Sequence, residues 1–155
     1  MNITAKLTGK LQTFINNIES KTIEAGFLDA KNATIAAKNE FGGEYEVSSE
    51  YKTRAAVKNI HLGSTINIIP RPFMQYTFIN NKDKWIKETI KNISSYKFND
   101  ISHALGEMMQ NDIKFTILDS NLFELNPEFV QIIKGNNHPL IDSGNMYDAV
   151  TYEIQ

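Results

Sequence analysis

The chain has 155 residues with a formal net charge of −2, and 41% of its residues are hydrophobic. These values fit one globular domain with a hydrophobic core and argue against a surface that binds polyanions over its whole extent. The sequence contains no cysteine, which excludes disulfides, thiolate zinc sites and thiol chemistry. It shows no signal-peptide pattern and no apolar run of about 18 residues, so we expect a soluble protein without a membrane partner.

The first part of the chain predicts a helix, a strand and a second helix. Residues 3–19 carry apolar side chains at three- and four-residue spacing, as in an amphipathic helix. Residues 22–27 alternate apolar and polar side chains, which predicts a half-buried strand. A short helix is expected over residues 30–39, with Asp29 as its N-cap and a turn at the paired glycines that follow Phe41.

Residues 44–68 are interpreted as a long β-hairpin that protrudes as an arm. Apolar residues recur there with a period of two, and Gly63 with Ser64 offers a turn. A helix over residues 50–60 is the competing interpretation, because Ala55 and Ala56 are compatible with one. A protruding hairpin buries little surface by itself, so we expect the arm to contact a neighbouring subunit.

The arm also carries a locally basic strip. Its cations either keep the edge of a solvated strand from aggregating or contact nucleic acid or an acidic partner surface. The residues predicted to make partner contacts on the arm are Tyr51, Lys52, Arg54 and Lys58, with His61 close by in the sequence.

Two prolines around Arg71 predict a rigid corner between a strand and a helix. Each proline fixes its own φ and keeps the preceding residue out of the α region, so Ile69 and Arg71 should be extended. Pro72 suits the first position of a helix. We expect Arg71 to point outward and, with Phe73, to contact another subunit; the alternative role for Arg71 is to bridge a local carboxylate.

Helices are predicted after this corner. The apolar spacing indicates a short buried helix over residues 73–78 and a long helix that starts at Asp83. A third helix should be capped by Asn99 and Asp100 and extend to Ile117.

The last part of the chain predicts a loop, a short helix and a strand. Residues 119–139 should form a surface loop with one apolar turn, and residues 140–146 a turn and a short helix. Alternation over residues 150–154 predicts the last strand. The expected fold is therefore one α+β domain over residues 1–155, in which several amphipathic helices pack on a small antiparallel sheet and the arm is inserted at residues 44–68.

The sequence gives no positive indication of catalysis. His61, His103 and His138 do not lie in a metal-binding pattern, and the acidic residues are scattered along helix faces. Ser143 lies in an Asp-Ser-Gly turn but lacks the frame of a nucleophile elbow. We therefore expect no enzyme activity, no metal and no cofactor; a hydrolase that uses Ser143 with His138 or His103 is the minor alternative.

Three separated segments of the chain resemble segments of one known protein family. Residues 36–42 (AAKNEFG) resemble its A-x-x-N-E-F-G segment, and residues 69–74 (IPRPFM) resemble its I-P-x-R-P-F-h corner. Residues 139–144 (PLIDSG) and the strand at 150–154 resemble its closing P-L-h-D-T-G segment and S-h-x-Y-x-V strand. The motif residues are Asn39, Glu40, Phe41, Gly42, Ile69, Pro70, Pro72, Leu140, Asp142, Ser143 and Gly144.

The family is that of tailed-bacteriophage neck and tail-completion proteins. The resemblance covers nearly the whole chain, because Trp85 and the helix that contains Ala-Leu-Gly-Glu (residues 104–107) also occur in the family's order. The chain departs from the family in two places. The family often runs almost directly from E-F-G to the proline corner, whereas 26 residues (43–68) intervene here. The loop at 119–139 also lacks the family's proline-rich, lysine-bearing run.

The resemblance implies a structural virion protein of the head–tail junction. Such a protein would form a homo-oligomeric ring, with six or twelve subunits, beneath the capsid connector. Its partners would be the head–tail connector and the tail terminator or tail tube proteins, and channel DNA would pass nearby without being gripped. The expected location is the neck or tail of the virion, and the host cytoplasm during assembly.

Two alternatives stay open. A tail terminator that caps the tail tube would have a similar sequence. A small nucleic-acid-binding protein, which would use the basic strip, belongs to a different class and predicts a DNA affinity that falls steeply with salt.

Overall fold

Six helices and two small antiparallel sheets make up the part of the chain that this computed structural model describes, which is residues 22–92 and 98–155. The α+β class is confirmed, and the amphipathic helix expected at residues 3–19 lies outside the described residues. In chain order the elements are β1 (Ile23–Phe27), α1 (Ala30–Phe41), β2 (Gly43–Glu46), α2 (Ser49–Val57), β3 (Thr65–Ile68), α3 (Phe73–Asn92), α4 (Phe98–Leu118), α5 (Glu128–Lys134), α6 (Asn145–Asp148) and β4 (Val150–Ile154).

The first and last strands pair with each other and pack on helix α4. Strand β1 is antiparallel to β4, with Phe27 opposite Val150. Gly106 of α4 permits close packing, because a Cβ atom at this position would lie 2.2 Å from the ring of Tyr152. The core lies between the sheet and the helices and contains Ala36, Phe73, Ile113, Ile117, Leu140, Met146 and Val150.

Helix α1 confirms the predicted helix and its cap. Asp29 Oδ1 accepts a hydrogen bond from the N–H of Asn32 at 2.8 Å, as an N-cap does. The helix continues to Phe41, two residues beyond the predicted end, and Gly42 stops it.

The predicted β-hairpin arm over residues 44–68 is wrong in its central part. The two ends of this segment do pair, since β2 and β3 are antiparallel. Between them the chain forms helix α2, which was the competing interpretation. Ser48 Oγ caps it by accepting a hydrogen bond from the N–H of Tyr51 at 3.2 Å, and Ala55 is buried on its inner face. A capped helix buries this small residue, whereas a two-stranded arm would leave it in solvent.

Helices α3 and α4 pack side by side and are joined by buried polar contacts. The hydroxyl of Thr77 donates to that of Thr116 at 2.7 Å, and Trp85 Nε1 donates to the carboxylate of Asp112 at 2.7 Å. These bonds satisfy polar groups at the contact, where Asp112 also forms an ion pair with Lys84 at 2.7 Å.

Two predicted helix starts are wrong. Helix α3 is continuous through Asp83, because the side chains of Asn80 and Asn81 donate to backbone carbonyls four residues earlier and so remain satisfied inside the helix. Helix α4 includes Asn99 and Asp100 in its first turn, so neither residue precedes the helix as a cap.

The elements predicted for the last part of the chain are present, although the short helix lies at Asn145–Asp148 rather than within residues 140–146. The apolar turn in residues 119–139 is helix α5, the short helix is α6, and the last strand is β4. Val150 is buried in the core while Thr151 faces solvent, as the alternation predicts.

Candidate functional site

Gly42 lets the end of helix α1 lie directly against the proline corner. Its backbone has φ = 62°, and a Cβ atom there would lie 2.6 Å from Pro70 N and 2.7 Å from Ile68 O. The carbonyl of Asn39 accepts a hydrogen bond from the N–H of Arg71 at 2.7 Å. The first two segments of the family resemblance are therefore in contact with each other.

Glu40 caps helix α3 from the end of helix α1. Its carboxylate accepts hydrogen bonds from the N–H groups of Met74 at 2.9 Å and Gln75 at 3.0 Å. These N–H groups lie in the first turn of α3 and have no acceptor within the helix, and the negative charge favours the helix amino end. Pro72 occupies the N-cap position, one residue before the predicted one, and its carbonyl accepts from Tyr76 N–H at 2.8 Å.

The prediction that Arg71 points outward is wrong, because this residue is only 1% exposed. Its Nε donates to the carbonyl of Glu124 at 3.0 Å, and its Nη2 donates to Asn126 Oδ1 at 3.1 Å. Burial lowers the pKa of Arg71. The guanidinium thus holds the loop before α5 against the proline corner, and it is not available to another subunit.

The predicted interface role of Phe73 is also wrong. Its side chain is 0% exposed and packs edge-to-face on Phe27, with the ring centroids 6.0 Å apart. An aromatic residue at the start of a helix that faces the sheet belongs to the core. Among the neighbouring motif residues, Ile69 is half-buried and Pro70 is exposed, while Phe41 is exposed at 77%.

The residues of the predicted basic strip lie on or next to helix α2, and they do not all face the same way. Lys52 and Lys58 are exposed. Arg54 turns inward and makes a bidentate ion pair with Asp142, at 2.6 Å and 2.7 Å. Tyr51 is half-buried, and the Arg54 guanidinium lies 5.6 Å from the centroid of its ring.

The closing P-L-I-D-S-G segment is a structural turn. Leu140 is buried in the core, and Gly144 precedes α6 with φ = 88°. Ser143 Oγ accepts a hydrogen bond from the N–H of Asn145 at 3.5 Å.

The histidines considered for a hydrolase are engaged elsewhere. His103 Nδ1 lies 3.1 Å from the hydroxyl of Tyr152, and His138 Nε2 donates to the carbonyl of Leu118 at 2.7 Å. In the described part of the chain neither histidine hydrogen-bonds to Ser143, so the geometry gives no support to a Ser–His pair.

All three segments of the resemblance border one cavity of ≈ 380 Å³, called here the motif cavity. It lies between helix α1, the β2–β3 sheet and the turns around α5 and α6. Its lining includes Asn39, Tyr51, Arg71, Lys134, Leu140 and Asp142.

Lys134 is a residue of this cavity that sequence reasoning missed. Its ammonium donates to the carbonyl of His138, and burial lowers the pKa of Lys134 to about 8. The charges of Arg71 and Arg54 lower that pKa further, while Asp142 raises it. In the sequence, a lysine in the last turn of a short apolar helix indicates only a favourable interaction with the helix dipole. The sequence gives no sign that this lysine lies beside two arginines.

A second surface feature is an apolar groove between helices α3 and α4, called here the α3–α4 groove. Its walls are Phe78, Trp85, Ile86, Ile90, Leu105 and Met109, with Lys82 and Thr89 at its edge. Ile86 and Ile90 are exposed at 57% and 63%. Some apolar residues of helix α3 therefore lie outside the described core and remain exposed.

The chain matches no protein-family model, and no curated protein or solved structure is significantly similar to it. Within residues 22–92 and 98–155, no cluster of three or more histidine and acidic side chains is placed to hold a metal ion. The helices of that same part of the chain are too short or too polar to cross a membrane.

Proposed function

We propose that this chain is a structural subunit of the head–tail junction of a tailed bacteriophage, a neck or tail-completion protein that assembles as a homo-oligomeric ring beneath the capsid connector. Its partners are further copies of itself, the connector, and the tail terminator or tail tube.

The observation that carries the proposal is that the motif residues contact one another. Glu40 caps the helix that follows the proline corner, and Gly42 makes room for Pro70. Asp142 holds helix α2 through Arg54. Residues that are distant in the sequence thus form one structural unit, as expected if the resemblance reflects a shared fold.

The α3–α4 groove supports assembly. Exposed apolar residues concentrated on one face are typical of protein–protein contacts rather than of a free monomer surface. Ile86 and Ile90 lie there, and a ring subunit needs such a face for its neighbour.

The mass of the purified chain tests the proposal. Light scattering after gel filtration, followed by negative-stain imaging, should give a closed oligomer with rotational symmetry. A chain that stays monomeric up to millimolar concentration would overturn a self-assembling ring. Co-sedimentation with purified connector and with purified tail tubes then separates a neck protein, which should bind the connector, from a tail terminator, which should bind only the tube.

The nucleic-acid alternative has lost part of its basis. Of its cations, Arg54 is neutralised by Asp142, while Lys52 on helix α2 and Lys58 just after it are exposed. A DNA affinity that falls steeply with salt would restore it.

A further inference from the structure

The motif cavity contains more positive charge than its carboxylates balance. Among the described residues, the hydrogen-bond acceptors of the Arg71 guanidinium are the carbonyls of Glu124 and Ile69 and the side-chain amide oxygen of Asn126, all uncharged. The Lys134 ammonium donates to a backbone carbonyl. Both cations are therefore held by neutral groups.

The acidic residues near the cavity offset these two charges only in part: the charge of Glu124 raises the pKa of Arg71, and that of Asp142 raises the pKa of Lys134. Asp142 gives both of its oxygens to Arg54, and Glu46 is exposed. Lys38 adds a further cation, which lies 4.8 Å from the centroid of the Tyr45 ring. An unpaired cation in a partly dry site favours any anion that reaches it, because Coulomb attraction is less screened there than in water.

The rest of the walls combine aliphatic side chains with tyrosines, asparagines and serines. The aliphatic residues include Ile35 of α1, Ile68 of β3, Val130 of α5, Leu140 of the closing turn and Met146 of α6. The volume of ≈ 380 Å³ lies in the range of small-ligand sites, in which apolar walls surround a few polar groups. The cavity thus fits a single anionic group on an apolar body better than a free inorganic ion.

We propose that the motif cavity binds a carboxylate borne by a short aliphatic peptide segment of another protein chain. Lys134 makes the direct contact, since an ammonium has three donor hydrogens and one is used by His138. Arg71 adds a second positive charge from within the wall, and the aliphatic residues cover the peptide side chains. The carboxylate comes from a chain terminus or from a glutamate side chain. The proposal concerns the isolated chain and stands or falls independently of a role in the virion.

Calorimetric titration of the full chain at pH 7 with blocked peptides tests it. The probes are acetyl-Ala-Leu-Ile with a free terminal carboxylate, the same peptide amidated, acetyl-Ala-Leu-Glu-Ile-amide, and sodium phosphate. The free acid or the glutamate peptide should bind at least about tenfold more tightly than the neutral amide, and the stronger of the two identifies the source of the carboxylate. Equal affinity for acid and amide, no binding of any peptide, or tighter binding of phosphate would overturn the proposal.

Variants of Lys134 link the binding to the site. Lys134→Met should lose the preference for acid over amide while melting at the same or a higher temperature than the parent chain. Lys134→Gln keeps a donor for the His138 carbonyl without the charge and should lose the preference as well. Lys87→Met, at an exposed position on helix α3, is the control and should bind like the parent. A Lys134→Met chain that still discriminates would contradict the proposal.

Discussion

The carboxylate of Glu40 and the N–H of Met74 form a helix cap between residues that lie on two different helices. The first turn of α3 therefore depends on the last turn of α1, at an oxygen–nitrogen distance of 2.9 Å. A helix cap is ordinarily supplied by the residue next to the helix, and here that position holds Pro72, which has no side-chain acceptor.

Glu40→Ala should lower the free energy of unfolding by about 1–2 kcal/mol, because two N–H groups of α3 lose their acceptor. Urea denaturation followed by circular dichroism measures this. Glu107→Ala, at an exposed position of α4, is the matched control and should change the free energy by less than about 0.5 kcal/mol. Equal effects of the two variants would show that the cap contributes nothing.

Gly42→Ala should destabilise the chain by about 3 kcal/mol or more, since its Cβ would overlap the backbone at Pro70 and φ = 62° is unfavourable for alanine. Gly63→Ala is the control, because nothing lies within 4 Å of a Cβ there. The melting temperature should fall strongly in the first variant and stay within about 2 °C in the second. A stable Gly42→Ala chain would mean that the proline corner does not need this contact.

Arg71→Met should cost about 2–3 kcal/mol of stability, because Asn126 and the Glu124 carbonyl lose a buried donor. Arg54→Met should cost about 1 kcal/mol or less, since its ion pair with Asp142 is about one-third exposed. The mass of the oligomer should be unchanged in the Arg71 variant. If the Arg71 variant instead dissociated the oligomer while its free energy of unfolding stayed that of the parent chain, Arg71 would belong to a subunit interface.

The stability of the chain should rise with pH between about 8 and 10.5. In this range Lys134 is neutral in the folded state, where its pKa is about 8, and still charged in the unfolded state, where its pKa is near 10.5. Unfolding then takes up a proton, so the penalty of the buried ammonium is fully present below pH 8 and disappears above 10.5.

Because the ammonium is partly solvated, we expect a gain of about 1–2 kcal/mol over this range. Urea midpoints measured at pH 7.5 and pH 10 would show it. The difference between the parent chain and Lys134→Met at the two pH values isolates Lys134 from the tyrosines and other lysines. A constant difference would contradict the lowered pKa.

Ile86→Glu combined with Ile90→Glu should dissociate the proposed ring. Both side chains are more than half exposed, so we expect the stability of the monomer to change by less than about 1 kcal/mol. Light scattering gives the mass, and Lys87→Glu on the same helix is the control for added negative charge. An unchanged mass in the double variant would place the subunit contact elsewhere.

The short helices and strands could be predicted from the sequence because the residues that begin and end them lie next to them in the chain. Asp29 and the two glycines that follow Phe41 mark the ends of α1, and strict alternation marks β1 and β4. The segment at 44–68 was harder, because α2 is only nine residues long and Ser48 begins it without a strong apolar stripe.

The site was less predictable than the fold because its contacts join distant parts of the chain. The sequence indicates that Arg71 is held rigidly between two prolines, but the direction of its side chain depends on the carbonyl of Glu124, far along the chain. Likewise, the ion pair of Arg54 with Asp142 and the position of Lys134 beside them arise only after helix α2 packs against the closing turn.

The pairing of β1 with β4 also sets the order in which the chain can fold. Ile23 pairs with Ile154, so this sheet closes a loop that contains almost the whole described chain. Such a contact forms late, because its loop-closure entropy must be overcome before it stabilises anything. During synthesis β4 leaves the ribosome after every other described element, and until then Tyr152 cannot pack against Gly106 of α4. Native packing of this fold is therefore completed only after translation has passed residue 154, and ribosome-stalled chains that end before β4 should remain sensitive to proteases.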